Sequence, residues 1–336
     1  MSTRRLAMIF GILGAASWPW PASSQSVSDY PTKPIRLVAP FPAGAPFDAV
    51  ARRLAEAMSQ QLKVPVIIDN KPGTGGSLGA GEVARAVADG YTLLITISDP
   101  LVSTPAAIKV PYDPQRDFSP IVKIASSAPV LLINTQYKST NLQELVEEAK
   151  AAKQPLTYGS FGPASFPQLV MESFSRRAGI KLTDIPYRGA PPALQDVLAN
   201  QVALAFTSPA QAAQLLPQGK VRVLAVMGAT RSPVLPQVAT FSESGFDSYF
   251  ARRDSWLGLL GPARLPDVIV TRLGETVRSI VREPTFTKWM ATLDFVPVTG
   301  AAPQFKRDLE TDLQAVTKFI REELKMEPGE LRDMQR

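Results

Sequence analysis

Short runs rich in β-branched residues alternate with amphipathic helical stretches along most of this chain. That alternation restricts it to α/β layering, which we read as built on mostly parallel sheets. The spacing predicts a strand over 34–38, a turn at Phe41-Pro42-Ala43-Gly44-Ala45-Pro46, and a helix over 48–62 with Val50, Leu54, Ala57 and Met58 on one face. A second unit repeats the plan: a strand over 64–69, a glycine-rich turn from Pro72 to Ser77, a helix to Ala88 and a strand over 91–97. Pro129 separates strand-like pieces at 121–125 and 130–134, so the chain is expected to cross there into a second sheet. Beyond it, strands are predicted over 156–159, 181–186, 202–206 and 221–226, with helices over 141–153, 166–178 and 192–199. Asn141, with Glu144 three residues on, has the spacing of a capping box. A strand over 256–260 and helices over 266–282 and 303–324 complete the pattern. The second domain reads as an insertion: 25–124 with 227–336 form one domain, and 125–226 form the other. Such a body leaves a cleft at the carboxyl ends of both sheets, where function is to be sought.

What the chain lacks narrows its chemistry. Among 336 residues there is no histidine and no cysteine. Disulfides, thiolate or imidazole metal sites, thiol nucleophiles and every Ser-His or Cys-His arrangement are therefore excluded. The usual general base near neutral pH is missing too. The net charge of +6, two of it from Arg4 and Arg5, is too mild to indicate nucleic acid. Proline is the excess residue, at 31, about 9% against a typical 5%. Many rigid turns should separate short elements.

Arg4 and Arg5 precede an apolar run over 6–17, then Trp18-Pro19-Trp20-Pro21 and the small residues Ala22, Ser23 and Ser24. Residues 1–24 read as a secretory signal peptide cleaved near Ser24. The apolar run is shorter than the roughly twenty residues a spanning helix needs. A free periplasmic protein is expected.

Three strand-to-helix turns are rich in Gly, Pro and Ser: Pro40 to Asp48, Pro72 to Gly79, and Ser160 to Gln168. Small residues there let backbone N–H groups and a helix N-terminus face an anion. Each turn, taken alone, is equally a set of ordinary helix caps. Gly79-x-Gly81-x-x-Ala84 falls inside the helix and makes a poor dinucleotide fingerprint. Gly159-Ser160-Phe161-Gly162 lacks the full nucleophile elbow. No cofactor and no metal are expected.

The stretches Pro34-Ile35-Arg36-Leu37-Val38, Pro40 to Asp48, Asp69-Asn70-Lys71-Pro72-Gly73-Thr74-Gly75-Gly76, Asp89-Gly90-Tyr91-Thr92-Leu93-Leu94 and Pro111 to Phe118 occur in one order. Tyr158-Gly159-Ser160, Pro186-Tyr187-Arg188-Gly189, Gly219-Lys220-Val221-Arg222 and Arg231-Ser232-Pro233 follow. Taken together, this order resembles the extracytoplasmic solute receptors of tripartite tricarboxylate transporters, the Bug family. The resemblance covers nearly the whole chain after the leader. It implies an α/β, two-domain type II periplasmic binding protein fold with the ligand cleft between the domains. A monomeric receptor would close on a small organic carboxylate, a dicarboxylate or an aromatic carboxylate, and deliver it unaltered to membrane permease subunits. An exported enzyme of the same architecture, acting on a carboxylated substrate, is the alternative.

Carried over by position, the resemblance points to Phe41, Ala43, Gly44, Ala45, Phe47 and Asp48 on one side of the cleft. Ser98 and Asp99 join that side. Ser160, Phe161, Gly162, Ser165, Phe166, Arg188 and Thr207 stand on the other. This chain departs from the pattern at several of them. Ala45 replaces a usual glycine and Phe47 a common threonine. Gln168 stands where His is frequent, Thr207 where Asp is common, and Asp99 where a small residue is. A ligand with an apolar or aromatic body follows, unless Phe47 and Phe166 pack into their own domains. Asp48 serves either as an N-cap, the favoured reading, or by ordering water at the ligand. Arg252 and Arg253 either meet a second carboxylate or lie on a solvated loop. Arg188 reaches solute or pins its own loop by an ion pair.

Overall fold

The computed structural model describes residues 29–44, 46–162, 165–293 and 295–325. The expected leader and candidate residue Ala45 lie outside them. In chain order the elements begin β1 (Ile35–Ala39), α1 (Pro46–Leu62), β2 (Val66–Asn70), α2 (Ser77–Ala84), β3 (Thr92–Ile97), α3 (Ser103–Ala107) and β4 (Phe118–Ser127). There follow β5 (Val130–Asn134), α4 (Leu142–Ala151), β6 (Leu156–Ser160), α5 (Phe166–Ala178), β7 (Leu182–Pro186), α6 (Ala190–Leu198), β8 (Leu204–Thr207), α7 (Pro209–Leu215) and β9 (Val221–Val226). The chain ends with β10 (Ser255–Pro262), α8 (Asp267–Arg282), α9 (Pro284–Thr292), β11 (Val296–Pro297) and α10 (Ala302–Glu322).

Two sheets organise these elements, in the orders β11-β4-β10-β3-β1-β2 and β7-β6-β8-β5-β9. Both are mixed, which corrects the expectation of mostly parallel pairing. Parallel pairs join β1 to β2 and β3, and β6 to β7 and β8. Antiparallel pairs occur around the strands next to the crossings: β10 with β3 and β4, and β5 with β8 and β9. The chain passes between sheets at residues 128–129 and again after β9, and a strand returning from such a passage enters its sheet reversed. The two passages lie side by side at Gly228, whose N–H donates to the Ala251 carbonyl at 2.8 Å and where a Cβ would meet both Ala128, in the first passage, and Asp254, just before β10.

Side-chain periodicity explains how the layers hold. Along β5, Leu131 and Ile133 enter one core with Leu145, Leu169 and Phe206, whereas Val130 and Leu132 enter another with Leu194, Val197 and Val221. The period of two thus serves helices on both faces of the second sheet. In α1, Val50, Leu54 and Met58 are fully buried, with Ala51 and Ala55 beside them. Ala57, expected on that face, is only half-buried. Asn141 caps α4 by accepting from the Glu144 N–H at 2.9 Å, and the Glu144 carboxylate accepts from the Thr140 N–H at 2.7 Å. The capping box forms with its return bond one residue upstream of the cap. The predicted helix to Ala88 stops at Ala84, and the helices at Pro209–Leu215 and Pro284–Thr292 were absent from the sequence reading. Among the described residues no helix is long and apolar enough to cross a membrane.

Candidate functional site

The turns that follow the parallel strands converge on one cleft of about 650 Å³, well within the size of small-molecule sites. Turns after β1, β2 and β3 supply Phe41, Thr74 and Asp99 from the first sheet; turns after β6, β7 and β8 supply Phe161, Arg188 and Ser208 from the second. Every turn thus leaves the carboxyl end of a parallel strand, where the geometry of α/β sheets opens a crevice.

The candidate residues divide into two groups. Phe41, Phe47 and Asp99 line the cleft from the first sheet's side, and Phe161, Gly162, Ser165, Phe166, Arg188 and Thr207 line it from the second's. Ala43 and Gly44 are exposed, and Asp48, Ser98 and Ser160 are buried; none of the five is among the lining residues.

Asp48 is not the N-cap expected of it. It lies inside the first turn of α1, because Pro46 already opens the helix. Its carboxylate accepts from the Gly44 N–H at 3.0 Å, Arg52 Nε at 2.8 Å and Asn70 Nδ2 at 2.9 Å. Asn70 also donates to the Phe41 carbonyl at 3.0 Å. Burial works against the charge on Asp48, but the bonds from Arg52, Asn70 and Gly44 outweigh it and hold the carboxyl below its usual range. The turn after β1 is therefore locked by a carboxylate that faces its own backbone.

The turn after β6 is stapled by its own hydroxyls. Ser165 Oγ accepts from the Phe161 N–H at 3.1 Å and Ser160 Oγ from the Gly162 N–H at 3.3 Å. Gly162, at φ 102, permits a conformation that a side chain would strain. Thr207 bonds Gln211 within its own lobe. Gly189, at φ 122, meets the first sheet's side: a Cβ there would lie 2.7 Å from Pro42 Cγ. The two lobes touch at that point.

They meet again at Asp99. This buried carboxylate accepts the Phe166 N–H, the first of α5, at 3.0 Å. Burial pushes its carboxyl up to about 6, opposed by the Phe166 bond, the Arg253 charge and the hydroxyls of Ser98 and Ser103.

Aromatic rings form much of the remaining wall. Phe47 packs edge-on against Phe295 at 4.9 Å between centroids, and Phe166 packs against Phe206 at 6.3 Å and Phe250 at 5.9 Å. Phe47 and Phe166 each line the cleft while packing on neighbours, so the two readings of these rings combine. Arg253 lies outside the lining residues. It pairs with Asp312 and donates to Tyr249 Oη at 3.1 Å. Arg252 is exposed and pairs with Asp247 at 3.2 Å. Arg188 is exposed and ion-pairs with no described residue.

Phe295, Phe206, Tyr187, Ser127 and Ser255 also line the cleft, and none of them was a site candidate from the sequence. Tyr187 and Phe206 adjoin the candidates Arg188 and Thr207. Phe295, Ser127 and Ser255 arrive by tertiary packing and had no local signal. Among the described residues no cluster of His, Cys, Asp or Glu is suited to a metal ion.

Comparison with known proteins accords with this architecture. The profile of the tripartite tricarboxylate transporter family receptor matches residues 50–325. The protein BugT of Bordetella pertussis is 28% identical over 328 residues, covering 96% of this chain and 98% of BugT. The solved periplasmic binding protein BugD superposes with a TM-score of 0.81 at 29% identity, covering 88% of this chain and 98% of BugD. An R. palustris protein solved with adipate superposes with a TM-score of 0.82 at 29% identity, covering 87% and 97%. The fold is that of a periplasmic binding protein, with its cleft between two lobes. This chain belongs to the tripartite tricarboxylate transporter receptor family, alongside the Bug proteins.

Proposed function

We propose that this protein is a periplasmic solute receptor that binds a small organic carboxylate with an apolar or aromatic body. It passes the ligand unaltered to the membrane permease subunits of a tripartite tricarboxylate transporter. The observation that carries the reading is the aromatic-walled cleft between two lobes, with the Arg188 guanidinium at its lining and unpaired among the described residues. An exposed guanidinium beside apolar rings suits a ligand that is apolar along its body and anionic at an end. The adipate of the R. palustris relative shares the apolar body, with a carboxylate at each end. In this reading the lobes are 25–124 with 227–336 and 125–226, the receptor acts as a monomer after losing residues 1–24, and the candidate residues that line the cleft contact the ligand.

Ligand binding to the folded state raises the melting temperature by mass action. A panel of aliphatic and aromatic acids should therefore include members that raise it in a concentration-dependent way. Mass spectrometry should recover those acids chemically unchanged. A panel without any shift refutes the receptor, and recovered product makes the protein an enzyme.

A further inference from the structure

For a site that holds an acid, this cleft is poor in cations, with Arg188 the one cation among its described lining residues, and three of the helix starts around it are poor in backbone donors. Proline lacks an N–H, and it stands at the first position of α1, the second of α5, and the second and third of α6. These three helix starts thus offer fewer backbone N–H groups than usual, whereas the start of α2, which also lines the cleft, carries no proline. The protein's own carboxylates stand at two of these starts. Asp48 lies in the first turn of α1, held by Gly44, Arg52 and Asn70. Asp99 reaches from the other lobe to take the first N–H of α5. Pro167 has none to give, so the start of α5 is supplied with a carboxylate before any ligand arrives.

Among the described lining residues, Asp99 and Arg188 are the only charged ones. Around Asp99 the lining offers no second cation: Ile97, Pro100, Phe166 and Phe206 are apolar, and Ser255, bonded to Ser98 at 3.5 Å, is neutral. We propose that the receptor selects a monocarboxylate over a dicarboxylate, and that Asp99 is the residue that excludes the second carboxylate. The proposal rests on the carboxylate-receptor reading above and sharpens it. Arg188 meets the single carboxylate of a monoacid, whose apolar body lies against the rings. A diacid must bury its second charge among those rings, next to a like charge and with no free cation, and both terms oppose binding.

Titration calorimetry on the mature chain at pH 7.5 tests this with two matched pairs: hexanoate against adipate, and benzoate against terephthalate. The monoacid of at least one pair should bind at least about tenfold tighter than its diacid. Asp99→Asn keeps an oxygen for the Phe166 N–H and removes the charge, and it should bring that ratio to within about threefold. Arg188→Gln, at an exposed position, should weaken the monoacid at least about tenfold. Diacids that bind as tightly as monoacids, or a ratio unmoved by Asp99→Asn, overturn the proposal and leave the carboxylate receptor standing. No binding by any of the four acids overturns the proposal, and no melting shift from the wider panel overturns the carboxylate receptor with it. The wild-type ratio decides the matter even if a variant fails to fold.

Discussion

Replacing Asp99 by Asn should stabilise the protein, and the gain should depend on pH. The folded-state carboxyl titrates at about 6 rather than at its ordinary 3.8, with burial as the chief cause. Between those values the folded chain holds a proton that the unfolded chain has released, so stability falls as pH rises through the window and is level above it. The gap of roughly two units, at 1.36 kcal/mol each, corresponds to about 3 kcal/mol at pH 7.5. Asn carries no charge to desolvate and still accepts from the Phe166 N–H, so the variant escapes most of that cost. For a chain of this size each kcal/mol moves the melting temperature by about 2 °C, giving a rise of about 6 °C at pH 7.5. At pH 4 the two chains should melt together. Differential scanning calorimetry of both proteins at pH 4, 5, 6 and 7.5 measures the difference directly. An Asn variant that melts below the wild type at pH 7.5, or a difference that stays constant with pH, refutes the reasoning. Either result would mean that the Phe166 bond and the Arg253 charge outweigh burial.

Other residues carry further expectations. Asp48→Ala should destabilise by about 2–4 kcal/mol, because Arg52, Asn70 and the Gly44 N–H lose a buried anionic acceptor together; urea melts at pH 7 measure this. Since the Asp48 carboxyl is held low, its stabilisation is complete above the unfolded value of 3.8 and is lost as pH falls through its lower folded value, so the Ala variant should melt closer to wild type in acid than at neutral pH. Gly189→Ala places a Cβ 2.7 Å from Pro42 Cγ at φ 122; an acid that raises the wild-type melting temperature should bind this variant at least about tenfold more weakly by calorimetry. Unchanged affinity would show that the Pro42–Gly189 approach is no part of the bound state. Arg253→Met removes the cation paired with Asp312 but leaves it the Trp256 Nε1–H at 3.0 Å, and should cost about 2 kcal/mol in urea melts, with only an indirect effect on ligand affinity.

Much of this fold was written locally. The helix read over 166–178 forms as α5 (Phe166–Ala178) with those bounds, because Pro167 pre-sets its first turn and Gly179, at φ 64, closes it in a left-handed cap. The crossing at Pro129 was equally visible, since proline interrupts a β-branched run. Strand direction was not. A run such as Trp256 to Leu260 has the same composition whichever way it enters a sheet, and the partners that reverse it, Thr92–Ile97 and Phe118–Ser127, lie far away in sequence. At the site, the turns after β1 and β6 were legible as clusters of Gly, Pro and Ser. Whether their polar atoms would face a ligand or their own backbone was not. Ser160, Ser165 and Asp48 bond to local N–H groups, and only the folded geometry assigns those oxygens. Asp99 stood out as an unusual residue for its position, but its partner on the other lobe is a main-chain group that no sequence pattern marks.

The side-by-side passage of the chain between the sheets has a mechanical consequence. Two strands of backbone that meet at Gly228 form a narrow strap, and a strap flexes easily across its flat face but resists shear and torsion. Opening and shutting should therefore follow nearly a single angular path. In the proposed receptor every cargo would draw the lobes along that same path, and a membrane partner would recognise loading from the angle alone, without touching the cargo.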